Sequence, residues 1–207
     1  MANGLTPLSK EDPLLRAKCK KVTLKELRSP IFQKIVDDML DVVYGRSNKG
    51  TKRNERRPMT VGLSANQVGI NKRISVVDFA IVNNNVNDIH VLINPKIIKK
   101  SKAKFAHREG CVNLPEIWGM IERHQIVTVE ALDRSGNKIT VEAKDWLSVL
   151  LQHEIDHLNG YMFIDHLKDP SKAHFVKGDE METYRGKEEK WDKHIDVSEL
   201  IRKKSKK

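Results

Sequence analysis

Two histidines and a glutamate, His153, Glu154 and His157, form an H-E-x-x-H pattern in the sequence. On a helix, residues four apart lie on the same face, so both imidazoles can direct a ring nitrogen at one metal ion. The carboxylate of Glu154 would lie beside them, where it can move the proton of a metal-activated water rather than bind the metal. The pattern therefore indicates a metal-dependent hydrolase.

The residues around this pattern predict a helix that has Asp145 as its N-cap and is ended by Gly160. The carboxylate of Asp145 would cap the first turn by accepting hydrogen bonds from free backbone N–H groups. Residues spaced by three and four then form one stripe, which consists of Trp146, Val149, Leu150, His153 and His157. Such a helix would be buried and would direct both histidines to the same side.

The identity of the third metal ligand decides the class of metalloenzyme. One zinc-protease class places a third histidine where this chain has Phe163. Another class uses a glutamate from a later helix, and Glu180 or Glu182 would be suitably spaced, although both lie in a charge-dense segment. Upstream, Cys111 offers a thiolate, and two histidines with one cysteine leave the fourth tetrahedral position open for water.

Three segments resemble, in order, the motifs of the peptide deformylase family. Gly62-Leu63-Ser64-Ala65-Asn66-Gln67 resembles G-x-G-L-A-A-x-Q, Glu109-Gly110-Cys111-Val112-Asn113 resembles E-G-C-L-S, and His153 to His157 reads H-E-x-D-H. Asp12-Pro13-Leu14-Leu15-Arg16 is similar to the family's D-P-x-L-R, so the resemblance covers residues 8–168. The chain departs from these motifs at Thr60, Ser64, Val112 and Asn113.

The resemblance implies a metal site and a reaction. Cys111, His153 and His157 would hold one divalent ion, for which the resemblance favours Fe(II), while the ligand set also suits Zn(II), Ni(II) and Co(II). The implied substrate is an N-formyl-methionyl peptide, and the implied product is formate. Glu154 would act as general base and then general acid, while the side-chain amide of Gln67 and the backbone N–H of Val112 would stabilise the oxyanion.

The substrate groove is predicted from the residues that flank these motifs. An apolar pocket for the methionine side chain would be formed by Val61, Trp146, Val149 and Leu150. Gly62 would let the backbone pair with the peptide like an added strand. Glu109 and Gly110 are also assigned to the groove, with Glu109 supporting the Cys111 loop. Asp156 is assigned a structural role, for which the resemblance suggests Arg123 as a partner.

The pattern of elements predicts an α+β fold with antiparallel β-sheets packed around a central metal-binding helix. Ser29 would cap a first helix that runs to Tyr44, with Pro30 at its first position. Stretches rich in β-branched residues predict strands at Ile74–Val77, Ile89–Ile93, Ile126–Ala131 and Ile139–Val141, with a hairpin turn at residues 133–136. Residues 1–170 would form the catalytic domain, and residues 171–207 a charged extension that is not a separate domain.

Composition favours a cytoplasmic enzyme, expected to be a monomer. The chain has 207 residues and two cysteines far apart in sequence, and it lacks an apolar run of the ~20 residues needed to span a membrane. A signal peptide is also not expected at its N-terminus. The formal net charge is +10, and basic residues concentrate in the predicted loop at residues 46–60 and in the tail from Arg202 to Lys207. These segments favour transient contact with a polyanion such as the ribosome.

Two other classes of function are weighed against the deformylase. A zinc endopeptidase would use His153, His157 and a downstream glutamate, but the Cys111 motif argues against it. A catalytically weak relative would serve chiefly as a ribosome or RNA binder through its basic tail. The presence of Gln67, Cys111 and Glu154 together argues against that reading.

Overall fold

A computed structural model describes residues 4–44, 60–80 and 88–201. Its helices are α1 (Leu24–Leu27), α2 (Pro30–Tyr44), α3 (Asp145–Leu158) and α4 (Met181–Tyr184). Its strands are β1 (Gly62–Ser64), β2 (Ile74–Asp78), β3 (Ile89–Lys100), β4 (Lys104–Cys111), β5 (Leu114–His124), β6 (Ile126–Leu132), β7 (Lys138–Lys144), β8 (Ala173–Phe175) and β9 (His194–Ile195). The predicted α+β class is confirmed.

The first sheet has the strand order β1-β2-β3-β6-β7 and is covered by a helix on each face. Because alternate residues of a strand point to opposite faces, Ile74 and Val76 of β2 pack with α2, whereas Val77 packs with α3. The α2 helix begins as predicted, since the Ser29 hydroxyl accepts a hydrogen bond from the backbone N–H of Phe32. One face of this sheet packs against α3 and so fixes the position of that helix.

The second sheet has the order β4-β5-β8-β9, and every neighbouring pair is antiparallel. Its core joins the apolar residues of β5 to Phe163 and Ile164, which follow α3, and to Val197 near the end of the described chain. Part of the predicted charged extension therefore lies in this sheet, as β8 and β9. The division of the chain at residue 170 stays a prediction.

The α3 helix lies between strands of both sheets and is buried on nearly every side. Its buried residues include the apolar Leu151, Ile155 and Leu158 but also polar side chains, among them Ser148, Gln152, His153, Glu154 and His157. Buried polar groups need hydrogen-bond partners, so a central helix that carries so many of them indicates a role beyond packing. The predicted arrangement of antiparallel sheets around a central helix is confirmed.

Two strands that carry site residues were absent from the sequence-based expectation. The β4 strand consists largely of charged and polar residues, and β5 contains Pro115 and Gly119, so neither has the β-branched composition of a typical strand. The prediction also ended β3 too early, at Ile93 rather than Lys100. Pairing between β4 and β5 over their length stabilises both strands despite this composition.

The predicted N-cap at Asp145 is wrong. Helix α3 begins at Asp145 itself, with Lys144 in the cap position, and Asp145 has a positive φ of 51°. Its backbone N–H donates to the carbonyl of Gln125, and its carboxylate accepts from the Gln125 side chain at 3.0 Å. The side chain therefore fastens the start of α3 to the β5–β6 connection instead of capping the first turn.

The predicted loop at residues 46–60, except Thr60, and the basic tail at residues 202–207 lie outside the described residues. The predicted turn at residues 133–136 is confirmed, because the N–H of Gly136 donates to the carbonyl of Asp133 at 3.0 Å. Within the described ranges, the helices lack the length and apolar character that a membrane-spanning segment needs.

The end of α3 depends on Gly160, which has a φ of +77° and lies against the N-terminal segment. A Cβ there would approach the carbonyl oxygen of Arg16 to 2.4 Å, which is backbone and cannot yield easily. We expect Gly160→Ala to lower the free energy of unfolding by at least ~1–2 kcal/mol, the cost of the left-handed conformation alone.

The matched control is Gly178→Ala, because a Cβ at Gly178 meets no atom within 4 Å. Urea denaturation should place this variant within ~0.5 kcal/mol of the parent protein. Equal stability of the two variants would show that the contact between Gly160 and Arg16 does not constrain the end of α3.

Candidate metal centre and active site

Three candidate metal ligands meet where the end of β4 reaches α3. Cys111 is the last residue of β4, and His153 and His157 lie one helical turn apart on α3. The Cys111 Sγ lies 3.4 Å from the His157 Nε2, which lies 3.1 Å from the His153 Nε2. All three atoms lie within 4.8 Å of one another. Residues 46 positions apart in sequence therefore offer one sulfur and two nitrogens to a common point.

These separations fit the ligands of a single ion. For a tetrahedral ion with metal–nitrogen distances of ~2.0–2.1 Å and a metal–sulfur distance of ~2.3 Å, two nitrogens lie ~3.3 Å apart and a nitrogen and a sulfur ~3.6 Å apart. The observed 3.1 and 3.4 Å are close to those values. Two imidazoles and a thiolate suit borderline-soft divalent metals, and three protein ligands leave a position for water or substrate.

The Cys111 side chain is held as a thiolate. Burial alone would raise the pKa of its thiol, but the neighbouring His157 and His153 rings outweigh that effect and lower the pKa to about 5. The thiolate is the form that binds metals. The other cysteine, Cys19, differs in this respect, because burial raises the pKa of its thiol to about 11.

A buried carboxylate orients one of the two histidines of the candidate metal centre. The Glu109 Oε2 lies 2.8 Å from the Nδ1 of His153, and the same carboxylate accepts two hydrogen bonds from the Arg123 guanidinium, at 2.7 and 3.0 Å. Burial would raise the pKa of Glu109, but Arg123 and His153 lower it to about 2. A carboxylate that accepts the Nδ1 proton leaves Nε2 free to bind a metal.

Asp156 extends this network away from the metal ligands. Its Oδ2 accepts hydrogen bonds from Arg123 and from His166, the latter at 2.8 Å. Arg123 is therefore held between Glu109 and Asp156, and its own side chain is only 4% exposed. The partnership between Asp156 and Arg123 that the family resemblance suggested is present.

Glu154 lies beside the metal ligands with its carboxylate almost fully buried, and burial raises its pKa. The Ser64 hydroxyl lies 2.6 Å from the Glu154 Oε2, and it also contacts the Ser75 hydroxyl at 2.8 Å. The other oxygen, Oε1, lies so close to Gly62 that a Cβ there would approach it to 2.4 Å. Glycine at position 62 is therefore needed for β1 and Glu154 to pack together.

Gln67 lies on a short 3-10 helix, Ala65–Val68, that follows β1. Its Oε1 accepts the backbone N–H of Ser64 at 2.7 Å, which directs Nε2 towards the Cys111 Sγ at 3.3 Å and the Asn113 Oδ1 at 3.0 Å. The amide of Asn113 in turn donates to the backbone carbonyl of Gln67. Two polar side chains from different motifs thus hold each other beside the candidate metal centre.

One cavity of about 600 Å³ connects these residues. Its lining includes Cys111, His153, Glu154, Gln67 and Val112, and every residue predicted for the substrate groove, namely Val61, Gly62, Glu109, Gly110, Trp146, Val149 and Leu150. The residues predicted to do chemistry and those predicted to bind substrate are therefore brought together. Their individual roles remain proposals.

Sequence reasoning missed several side chains that the structure places here. Ser64 and Asn113 stand where the chain departs from the family motifs, and both bond to predicted site residues. Arg108, Trp118 and Arg185 also line the cavity. The sequence did point to Ser64 and Asn113, because both are departures from the family motifs. Arg185 lies in the charged extension, where the sequence carries no motif.

The alternative metal ligands, Glu180 and Glu182, find no support. The carboxylate of Glu180 pairs with Lys193, and Glu182 is exposed to solvent. Within the part of the chain that the structure describes, the one group of three or more candidate metal donors consists of Cys111, His153 and His157. This arrangement argues against the endopeptidase interpretation.

We expect Cys111→Ala to bind well below one metal ion per chain, because the site loses its sulfur donor and one of three ligands. Metal content after gel filtration, measured by inductively coupled plasma mass spectrometry, tests this. Glu180→Ala and the cysteine control Cys19→Ala should each keep about one ion per chain. A full complement of metal in Cys111→Ala would rule out the proposed ligand set.

Comparisons with known proteins agree with this site. A sequence model of the polypeptide deformylase family matches residues 8–173. Peptide deformylase 2 of Vibrio parahaemolyticus is 38% identical over 160 residues, which cover 77% of this chain and 84% of that protein. The crystal structure of a peptide deformylase from Legionella pneumophila aligns with a TM-score of 0.66 and 31% identity, covering 79% of this chain and 86% of its own.

A further crystal structure shows a class I type b peptide deformylase from Acinetobacter baumannii with Met-Ala-Ser bound. It aligns with a TM-score of 0.68 and 26% identity, covering 81% of this chain and 100% of its own. The matched residues 8–173 include all three candidate metal ligands together with Gln67 and Glu154. This chain belongs to the polypeptide deformylase family.

Proposed function

We propose that this protein removes the formyl group from the N-terminus of newly made N-formyl-methionyl polypeptides by hydrolysing the formamide C–N bond, which releases formate. The observation that supports this most directly is the meeting of Cys111, His153 and His157 next to a cavity that Cys111, His153, Glu154 and Gln67 line. The match to the polypeptide deformylase family supports the same reaction. A relative from Acinetobacter baumannii has been solved with Met-Ala-Ser bound, a peptide that begins with methionine.

The cofactor of this reaction is proposed to be one divalent metal ion, held by Cys111, His153 and His157. Such an ion lowers the pKa of a bound water from ~15.7 towards ~7, so that a nucleophile is available at neutral pH. We propose Fe(II) as the native ion, while Zn(II), Ni(II) and Co(II) suit the same donors. Formate release by protein purified without oxygen, compared before and after metal exchange, tests this choice.

Glu154 is proposed to move the proton. Its Oε2 already accepts a hydrogen bond from Ser64, so Oε1 is the atom that takes the proton of the attacking water. As the C–N bond of the formamide breaks, the same carboxyl group returns the proton to the leaving amine. Burial raises the pKa of Glu154 and so favours the first step, because a carboxylate with a higher pKa is a stronger base towards the proton of water.

The oxyanion that develops on the formyl oxygen needs donors in fixed positions. We propose the Nε2 of Gln67 and the backbone N–H of Val112, which flank Cys111 in the cavity. The Gln67 Oε1 accepts a hydrogen bond from the Ser64 backbone N–H, and its Nε2 donates to the Asn113 Oδ1, so the amide is held in place before substrate arrives. A donor of this kind typically contributes ~3 kcal/mol of transition-state stabilisation.

We propose that an apolar pocket binds the methionine side chain of the substrate and that the protein backbone binds its peptide chain. Val61, Trp146, Val149 and Leu150 would enclose the methionine side chain, while Gly62 and Gly110 would let the peptide approach the backbone of β1 and β4. For Glu109 we propose a positioning role in place of direct substrate contact, because Arg123 and His153 already occupy its carboxylate.

We further propose that the enzyme works as a monomer in the cytoplasm, where reducing conditions keep Cys111 as a thiolate. The basic tail from Arg202 to Lys207 is proposed to make a transient contact with the ribosome, because the chain carries a net charge of +10 and ribosomal RNA is a polyanion.

Glu154→Ala separates proton transfer from metal binding. Since Glu154 is not among the three candidate ligands, the variant should keep about one metal ion per chain. Its kcat for formate release from formyl-Met-Ala-Ser should fall by at least ~100-fold, because general acid–base catalysis is lost. Near-normal turnover in this variant would mean that another group transfers the proton.

Removal of residues 202–207 tests the ribosome contact. Co-sedimentation with ribosomes should weaken, and its dependence on salt should become shallower, because each neutralised phosphate adds ~0.7–0.9 to the slope of log K against log salt, the range from single strands to B-form DNA. Activity on a short free peptide should not change. Full-length and truncated proteins that bind ribosomes with equal affinity and equal slope would remove this part of the proposal.

A further inference from the structure

The C-terminal segment beyond residue 173, where the family match ends, forms part of the wall of the active-site cavity. The cavity is lined by two groups of residues. One group comes from β1 and α3 and includes His153 and Glu154. The other comes from the β4–β5 hairpin and from Arg185, which follows α4 directly.

This segment is anchored firmly enough to hold a side chain in a defined place. Strand β8 pairs with β5, and the backbone N–H of Val176 donates to the carbonyl of Glu116. Tyr184, the residue before Arg185, is fully buried, and its hydroxyl lies 2.8 Å from the Nδ1 of His174. Tyr184 before Arg185 and Glu188 after it, which pairs with Arg108, therefore hold the backbone of Arg185 in the cavity wall.

The aromatic packing around Tyr184 strengthens this anchor. Its ring lies 6.1 Å from the ring of Trp118 on β5 and 5.1 Å from the ring of Trp191, measured between centroids. The Arg108 guanidinium lies over the same ring at 5.9 Å. Aromatic pairs of this kind each contribute ~0.5–1.5 kcal/mol beyond the area that they bury.

The two arginines that line the cavity differ in their partners. Arg108 forms an ion pair with Glu188 and packs on the ring of Tyr184. Its guanidinium charge is therefore neutralised by a residue of the C-terminal segment. The side chain of Arg185 is exposed to the cavity, and among the described residues no carboxylate lies within 4.0 Å of its guanidinium. The Glu116 side chain also lines the cavity without an ion pair in that part of the chain.

We infer that Arg185 is a specificity-determining residue that binds a carboxylate of the peptide beyond its methionine; this rests on the proposed function. An arginine presents two parallel N–H donors that match the two oxygens of a carboxylate. The carboxylate comes either from an Asp or Glu side chain or from the C-terminus of a short peptide. Glu116 carries the opposite charge on the same cavity wall, so direct contact with the Arg185 guanidinium, rather than the summed charge of these two residues, is what would favour an acidic peptide.

The size of the expected preference follows from the exposure of Arg185. An ion pair at a solvent-exposed site contributes up to ~1 kcal/mol, which corresponds to about fivefold in kcat/KM. The effect should lie mainly in KM, because the contact is remote from the reacting bond and is equally strong in the ground state and the transition state. It should decrease with added salt, since the charges are partly exposed.

The experiment compares kcat/KM for amidated peptides that differ by one group. Formyl-Met-Xaa-Ala-amide and formyl-Met-Ala-Xaa-amide are measured with Asp, Asn and Lys at Xaa, and formyl-Met-Ala-Ser is measured as free acid and as amide. The first set detects a side-chain carboxylate and the second a C-terminal one. We expect about fivefold preference for the carboxylate over its neutral counterpart in at least one set.

Three variants assign that preference to Arg185. Arg185→Gln should bring the ratio of carboxylate to neutral peptide to about one, and Arg185→Glu should reverse the order so that Lys peptides exceed Asn peptides. The matched control is Lys187→Gln, which removes the same charge from the same segment at an exposed position outside the cavity lining. This control should keep the preference of the parent protein.

The outcomes separate this inference from the proposed function. Formate release at equal kcat/KM from every peptide, or a preference that survives in Arg185→Gln, would overturn the role of Arg185 and leave the deformylase activity standing. A preference lost equally in Lys187→Gln would also overturn it, since general charge rather than contact would then explain the effect. Failure to release formate from any peptide would overturn the proposed function and this inference together.

Discussion

The buried carboxylate of Glu109 joins the two halves of the active site. It lies on β4, two residues before Cys111, and it bonds to Arg123 on β5 and to His153 on α3. Burial of charged groups costs several kcal/mol for each ion unless partners compensate it, and here the guanidinium and the imidazole both do. The same interaction therefore fastens the second sheet to the central helix and fixes which nitrogen of His153 faces Cys111.

The first sheet contributes to the active site because its strand β1 packs closely against α3, not through an ion pair. Gly62 lets β1 lie against Glu154, and Ser64 two residues later donates to the same carboxylate. Gln67, three residues after Ser64, donates to the sulfur of Cys111, which belongs to another motif. Residues of one short segment thus contact first Glu154 and then Cys111. A side chain at position 62 would displace Glu154.

Much of this site could be predicted from the sequence, but different residues were predicted on different grounds. The spacing of His153 and His157 alone placed both rings on one helical face, because helix geometry is local. Cys111 was identified through resemblance to a family, since no local rule brings together residues 46 positions apart. The β4 strand was missed because its charged residues pack against α3 and the C-terminal segment instead of forming an apolar face. Asp145 was assigned as a cap although its side chain bonds to Gln125, a tertiary contact that propensity does not encode.

The central claim is that one sulfur and two imidazole nitrogens of this chain hold a single metal ion. X-ray absorption spectroscopy at the zinc K-edge of the zinc-loaded protein tests it without any substitution. The arrangement of Cys111, His153 and His157 predicts one sulfur at ~2.3 Å and two imidazole nitrogens at ~2.0–2.1 Å from the metal. A spectrum that fits only nitrogen and oxygen neighbours, with no sulfur contribution, would contradict it.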